Sequence, residues 1–284
     1  MSNVRIVTDS ACDLPAEVAE EWGIEIVPLS IRFGDEEFID REELSVAEFW
    51  SRCVNMSTLP ETAAPAPGQF ESVYRRLADD GATGVLVVSL SAALSATIQS
   101  AELAARSIAD DDAIDLDVRI VDSRTVSMGI GTIAIACARA AAEGATIDEV
   151  EALATKLSDQ TRVFAALDTL DNLKKGGRIG GAKAFLATAL SIKPIIDVTG
   201  GVVGEAGKQR TRSKALAHLV ERFKSYGGNV ENLAVLHADC SDIDVFVEML
   251  QPHYDGEILV GEIGPVIGTH GGRGTIGVAF HETS

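Results

Sequence analysis

The sequence predicts an α/β protein in two parts. Residues 1–160 form an N-terminal domain with a mostly parallel sheet flanked by helices, and residues 161–284 form a C-terminal α/β domain with a mixed sheet. Three observations carry this. Through the first 160 residues short apolar runs alternate with helical patterns, the arrangement of a parallel sheet covered on both faces. Residues 195–198 and 202–205 flank Thr199-Gly200-Gly201 and predict a β-hairpin, an antiparallel unit that makes the second sheet mixed. A chain of 284 residues, 46% hydrophobic, is long enough for two domains or one large one with a sizeable core.

Taken in order, residues 4–7 predict a strand that runs into Thr8-Asp9-Ser10. Asp13 is the expected cap of a helix with Pro15 in its first turn and a stop at Gly23. A strand is expected over 24–29, then a polar passage over 33–44. Ser45 and Glu48 make a capping box for a helix to about Val54. Residues 57–70 hold three prolines and a glycine and are expected to form no regular element. A helix then places Phe70, Val73 and Leu77 inward and ends at Gly81. Residues 85–88 predict a buried strand, and Leu94, Ile98, Ala101 and Ala105 share the face of the helix after it. Another strand covers 118–121. A helix over 129–142 is so apolar that it must be buried on most sides, and Thr146 with Glu149 marks a second capping box.

Beyond it, strands are expected over 163–167, 233–237, 257–263 and 275–280, and helices over 182–192, 212–226 and 241–250. A glycine-rich loop is expected between the last two strands.

The formal charge of −19 makes nucleic acid and anionic membrane surfaces poor partners, since both reward basic patches. Cys12, Cys53, Cys137 and Cys240 are scattered without a CxxC pair, so no zinc knuckle or thioredoxin-type site is indicated. Asp110 to Asp112 lack the glycine and glutamate of a calcium loop. No basic-then-apolar leader and no membrane-spanning run is seen, which points to a reduced, cytoplasmic setting.

The stretch that organises the chain is 85–105, where a strand passes through Ser89, Ser91 and Ser95 into a helix. Backbone N–H groups, the helix dipole and small hydroxyls together suit an anion at the sheet edge. The plainer reading is that Ser91 or Ser95 merely caps the helix. Asp9 and Asp122 stand at similar strand ends, where loop capping is the commoner role. KGGRIGG lacks the Walker pattern; its glycines permit close backbone approach and Arg178 offers a charged fork. GPVIGTHGGRG sets His270 among five glycines. His237, Asp239 and Cys240 are close neighbours in sequence, and such groups rarely converge on one reacting atom. A serine hydrolase using Ser95 with His270 is an alternative, although Ala93 and Thr97 stand where a nucleophile elbow has glycines.

Four segments together resemble the DegV family: IVTDSACDLP, PETAAPAPGQF, SAALSATIQSA, and the pair GGRI and GTHGGRGTIGV. Their order and spacing match over essentially the whole chain, including KPII and the hairpin before KQRTRSKAL. The family includes the FakB subunits of bacterial fatty acid kinase. The resemblance implies a protein with no turnover of its own and no cofactor. Its ligand would be a long-chain fatty acid, bound non-covalently and presented to a kinase subunit for conversion to acyl phosphate. Partners implied are the fatty acid, the kinase subunit and a transient membrane contact for lipid exchange. By motif, Thr62 and Ser95 are the expected donors to the carboxylate, with Arg178 and His270 nearby, acting through water or during phosphoryl transfer. Ala63, Ala64, Ala66, Ala96 and Arg273 depart from the family pattern, which points to fewer polar contacts around the head group or altered chain-length preference or kinase docking. A binder of small phosphorylated ligands, similar in fold to dihydroxyacetone kinase subunits, is a further alternative.

The implied ligand is physically reasonable. A tail of roughly sixteen carbons gains about 0.8 kcal/mol per buried methylene, part of it offset by ordering and association. A buried carboxylate needs donors, and hydroxyls supply them without locking the group in an ion pair.

Overall fold

In the computed structural model, which describes residues 3–54, 58–188 and 192–283, three sheets organise the chain. The first is four-stranded and wholly parallel. It contains β1 (Val4–Asp9), β2 (Glu25–Val27), β6 (Gly84–Ser89) and β7 (Asp117–Asp122), in the order β2-β1-β6-β7. The apolar run of β6 is buried along its whole length because both faces are covered. Val85 and Val87 face a core with Phe70, Tyr74 and Ala101; Leu86 and Val88 face a second core on the other side. This alternation is the two-residue period of a strand.

The helices of this half are α1 (Ala16–Glu21), α2 (Val46–Cys53), α3 (Pro67–Asp79), α4 (Thr97–Ala109), α5 (Met128–Ala142) and α6 (Ile147–Gln160). Ser45 accepts from Glu48 N–H at the start of α2, and the box of Thr146 and Glu149 on α6 is closed in both directions. The apolar composition of α5 follows from its position. It packs against β1 and β6 and also against β8 (Thr161–Ala166), β11 (Val230–His237) and β13 (Ile276–Glu282).

Those three strands belong to a six-stranded sheet with β9 (Lys193–Asp197), β10 (Gly204–Gln209) and β12 (Leu259–Glu262), in the order β10-β9-β8-β13-β11-β12. Only β11 and β12 pair in parallel, so the sheet is mixed as expected. The hairpin of β9 and β10 turns through Thr199–Gly201. Helices α7 (Asp171–Lys175), α8 (Arg212–Lys224) and α9 (Ile243–Leu250) complete this half with α10 (Pro265–Gly271). The largest apolar core includes residues of both sheets, from Val4 to Ala279, with α5 within it.

Several expectations need correction. The polar passage after residue 33 is a hairpin, β3 (Ser30–Phe33) with β4 (Glu36–Ile39). The proline-rich loop contains β5 (Glu61–Ala63), which pairs with β3 in a third, antiparallel sheet. The glycine-rich loop after β12 is largely the helix α10. The helix expected over 182–192 is replaced, where described, by a 3-10 helix over Gly180–Thr188; residues 189–191 lie outside the described set, as does Ser57.

Asp13 does not cap α1, whose N-cap is Pro15; it closes the short 3-10 turn Ser10–Cys12 instead. It is buried in the left-handed region at φ 53°, accepting from Ser127 Oγ and, at 2.9 Å, from Gly264 N–H. Burial pushes its carboxyl up to about 7 against these bonds. Among the described residues no helix is long and apolar enough to cross a membrane, and no group of three acidic, His or Cys side chains could hold a metal ion.

Candidate functional site

A cavity of about 200 Å³ draws its wall from both halves of the chain. Leu90, Leu94 and Ala96 come from the passage between β6 and α4, and Val126 and Ser127 from the approach to α5. Val163, Ala165, Ile196 and Leu236 come from the mixed sheet, and Val266 and Ile267 from α10. All four residues expected at the site, Thr62, Ser95, Arg178 and His270, stand in this wall. Among the described residues no aspartate or glutamate does, in a chain that carries 43 of them. The lining is therefore apolar with a few hydroxyls, one histidine and one arginine.

Thr62 is positioned by strand pairing. On β5 it lies opposite Ile31 of β3, and Ile31 is fully buried. Opposite residues of a pair share a face, so Thr62 turns inward while Glu61 and Ala63 turn out and are exposed. Its Oγ1 lies 3.1 Å from His270 Nε2. His270 rides on α10, which packs against α2, α7, β3 and β5. The glycines in this segment serve packing: a Cβ on Gly268 would come within 2.8 Å of Trp50 Cη2 and Cζ2. Asn172 Nδ2 donates to Thr269 O at 3.0 Å and ties α7 to α10. Burial, and the nearby Arg178 cation, push the His270 imidazole down to about 4, so it is neutral at pH 7.

Ser95 sits in the turn before α4. Its Oγ lies 2.9 Å from Thr97 Oγ1 and accepts from Thr97 N–H at 3.3 Å. Ser95 is not the helix cap, since Ala96 holds the N-cap position; it bonds Thr97 from one residue further out and lines the cavity. Ser91 instead donates to Gly201 O at 2.7 Å, which fastens this turn to the hairpin of β9 and β10. Arg178 fastens it again: Nε donates to Leu94 O at 3.2 Å and Nη1 to Gly176 O at 2.7 Å. The arginine expected near a ligand thus also ties the KGGRIGG segment to the residue before Ser95.

Asp9 and Asp122 are loop ties. Asp9 is buried and accepts from the amides of Leu90 and Ala11 at 2.8 and 3.1 Å; burial raises its carboxyl to about 6. Asp122 accepts from the amides of Ala92 and Arg124 at 3.2 and 2.9 Å. Neither lines the cavity. His237, Asp239 and Cys240 form no reactive set, since burial raises the Cys240 thiol, which meets Arg212 Nη2 and the carbonyls of Ala238 and Thr275. Sequence reasoning did not single out Thr97 as the partner of Ser95, Gly176 as the seat of His270, or Asp13 as the link between the α5 and α10 starts. Their partners lie in other elements, except for Thr97, where the S-x-T spacing of Ser95-Ala96-Thr97 was the available signal.

A family model described as "Uncharacterised protein, DegV family" matches residues 3–283. The chain belongs to the DegV family. A DegV domain-containing protein of Streptomyces coelicolor is 37% identical over 280 residues, covering 97% of each chain. The DegV fold is shared with a Thermus thermophilus family protein described for its fatty acid binding, at 31% identity, TM-score 0.88 and 99% coverage of both chains. DegV of Bacillus subtilis, described as a fatty acid binding protein, matches at 28% identity and TM-score 0.88, with 100% of each chain covered. Both of these solved relatives are thus described as binding fatty acid.

Proposed function

We propose that this DegV protein binds a long-chain fatty acid in the cavity and presents its carboxylate to a kinase subunit for conversion to acyl phosphate. The observation that carries the binding reading is the composition of the wall: mostly apolar residues, no carboxylate among the described residues, and Thr62, Ser95, Arg178 and His270 together. A hydrocarbon tail gains about 0.8 kcal/mol for each methylene it removes from water. The anionic head meets hydroxyl donors from Thr62 and Ser95, and Arg178 supplies positive potential while its own donors hold the turn. Neutral His270 adds no second cation. The carboxylate is held by hydrogen bonds without a buried ion pair, which leaves an oxygen free to attack a phosphoryl group. The kinase step rests on the family resemblance and on this chemistry.

The serine hydrolase alternative is disfavoured by geometry. Ser95 is bonded to Thr97, His270 to Thr62, and no carboxylate among the described wall residues orients the histidine. An apolar wall also disfavours a small phosphorylated ligand. The binding test is to denature the purified protein and identify released small molecules by mass spectrometry. A straight-chain acid is expected; a phosphorylated metabolite would overturn the reading. For the second step, ATP, palmitate and a fatty acid kinase subunit should yield acyl phosphate only when this protein is added. Equal turnover without it would remove the presenting role.

A further inference from the structure

A hydroxyl and an imidazole nitrogen 3.1 Å apart can exchange the roles of donor and acceptor, and the ligand chemistry of Thr62 depends on which is which. We propose that Gly176 is a positioning residue that holds His270 as the Nε2–H tautomer, so that Thr62 accepts from the ring and must turn its own hydroxyl proton toward the ligand. The tautomer assignment stands on the protein alone; its consequence for a carboxylate rests on the acyl-binding reading above.

The argument begins at the other ring nitrogen. His270 Nδ1 is buried and has no hydrogen-bond partner among the described residues. It lies against the bare Cα of Gly176, where a Cβ would stand 2.4 Å from Nδ1 and 3.0 Å from Cε1. The space a side chain would fill is already taken by the ring. Gly176 has φ −74°, an ordinary right-handed value, so close approach and not backbone conformation is what requires glycine. The glycine hydrogen occupying that direction faces Nδ1. A C–H facing a nitrogen lone pair is weakly attractive. The same C–H facing an N–H is repulsive, and that N–H would be a buried donor without an acceptor.

The ring proton therefore belongs on Nε2, where Thr62 Oγ1 accepts it. A threonine hydroxyl has one hydrogen, and with a lone pair engaged by the ring that hydrogen remains available to the cavity. A second proton on His270 would have to occupy Nδ1 against Gly176, in keeping with the depressed basicity of the ring. Gly176 also accepts from Arg178 Nη1 at 2.7 Å, so a single residue seats both the histidine and the arginine of the site.

The deciding measurement is long-range ¹H–¹⁵N NMR on ligand-free, histidine-labelled protein at pH 7, with His270 assigned by comparison with His270→Ala. A protonated Nε2 and a bare Nδ1 are expected, and Gly176→Ala should move both resonances. A protonated Nδ1 would overturn the proposal whatever the cavity binds. The second measurement is palmitate affinity. Gly176→Ala and His270→Ala should each weaken it about tenfold, the worth of one charge-assisted hydrogen bond. His270→Gln, whose amide N–H takes the place of Nε2–H, should keep affinity near wild type, and Gly176→Ala added to it should cost little further. Equal losses for His270→Gln and His270→Ala, or a full Gly176→Ala penalty in the His270→Gln background, would refute the relay. If palmitate does not bind while the Nε2–H tautomer is found, the acyl reading fails and the tautomer assignment stands.

Discussion

Replacing Thr62 by valine and Ser95 by alanine removes two of the hydroxyls of the cavity wall while leaving the apolar lining intact. Valine keeps the shape of threonine, and Thr62 remains paired to Ile31 through its backbone. A hydrogen bond to a charged group is worth about 1.5–3 kcal/mol, so losing two costs roughly 3–6 kcal/mol of carboxylate binding. At 1.4 kcal/mol per decade, the double variant should bind palmitate roughly 10²- to 10⁴-fold more weakly. Thr62→Val also strips His270 Nε2 of its partner, but that penalty falls on the free and bound protein alike and cancels from the affinity. The hydrophobic contribution of the tail, of order 10 kcal/mol gross, is untouched, so residual partitioning of lipid is expected. The two losses are not fully additive because both hydroxyls address one head group. Calorimetric titration of delipidated protein with palmitate reads the effect, with near-ultraviolet circular dichroism confirming the fold. An affinity within about twofold of wild type would show that these hydroxyls do not hold the carboxylate.

Asp13→Asn tests the pH dependence of the buried core. The folded carboxyl is raised to about 7 from an unfolded value near 3.8, so its contribution to stability is fully present below pH 3.8 and is lost as pH rises through about 7. The variant should show a shallower fall in unfolding free energy between pH 4 and 8, measured by urea titration at each pH, with at most about 4 kcal/mol of the wild-type slope removed. His281 is buried between Thr132 and Asn232, both at 3.1 Å, and burial lowers its basicity to about 4. Its contribution has the opposite sign: it is complete above pH 6.5 and lost as pH falls toward 4, and NMR titration should find the ring neutral at pH 5. Thr146→Ala opens the capping box of α6 and should cost about 1 kcal/mol in chemical denaturation while leaving palmitate affinity unchanged.

The elements that were plain in the sequence are those whose burial is one-sided or total. The run 85–88 and the apolar helix over 129–142 could only be interior, and the cap at Ser45 and the box at Thr146 are local bonds that sequence spacing reveals, although Glu48 turns to Arg52 and does not close a box with Ser45. The elements that escaped owe their form to distant neighbours. Glu36 and Glu37 of β4 are exposed, so no apolar alternation advertised the hairpin. Three residues between prolines become β5 only because β3 offers an edge. Residues 265–271 are helical despite their glycines, since Gly268 admits Trp50. Asp13 had the look of a cap, but its partners, Ser127 and Gly264, are 114 and 251 residues away. Thr62, Ser95, Arg178 and His270 could be named from motif resemblance, and all four stand in one wall. Gly176 could not, because its role is to have no side chain where a ring from another element rests.

The cavity shares Leu29, Leu90, Val163, Val198, Leu236 and Ile263 with the largest apolar cluster of the molecule. A guest molecule here would not be held on a surface; it would complete the interior, touching side chains that also knit the two sheets together. Loading should therefore raise the melting temperature, with the logarithm of free fatty acid over its dissociation constant. Delivery would carry the reverse cost: whatever withdraws the cargo takes away part of the packing, and the emptied protein is left looser until it is filled again.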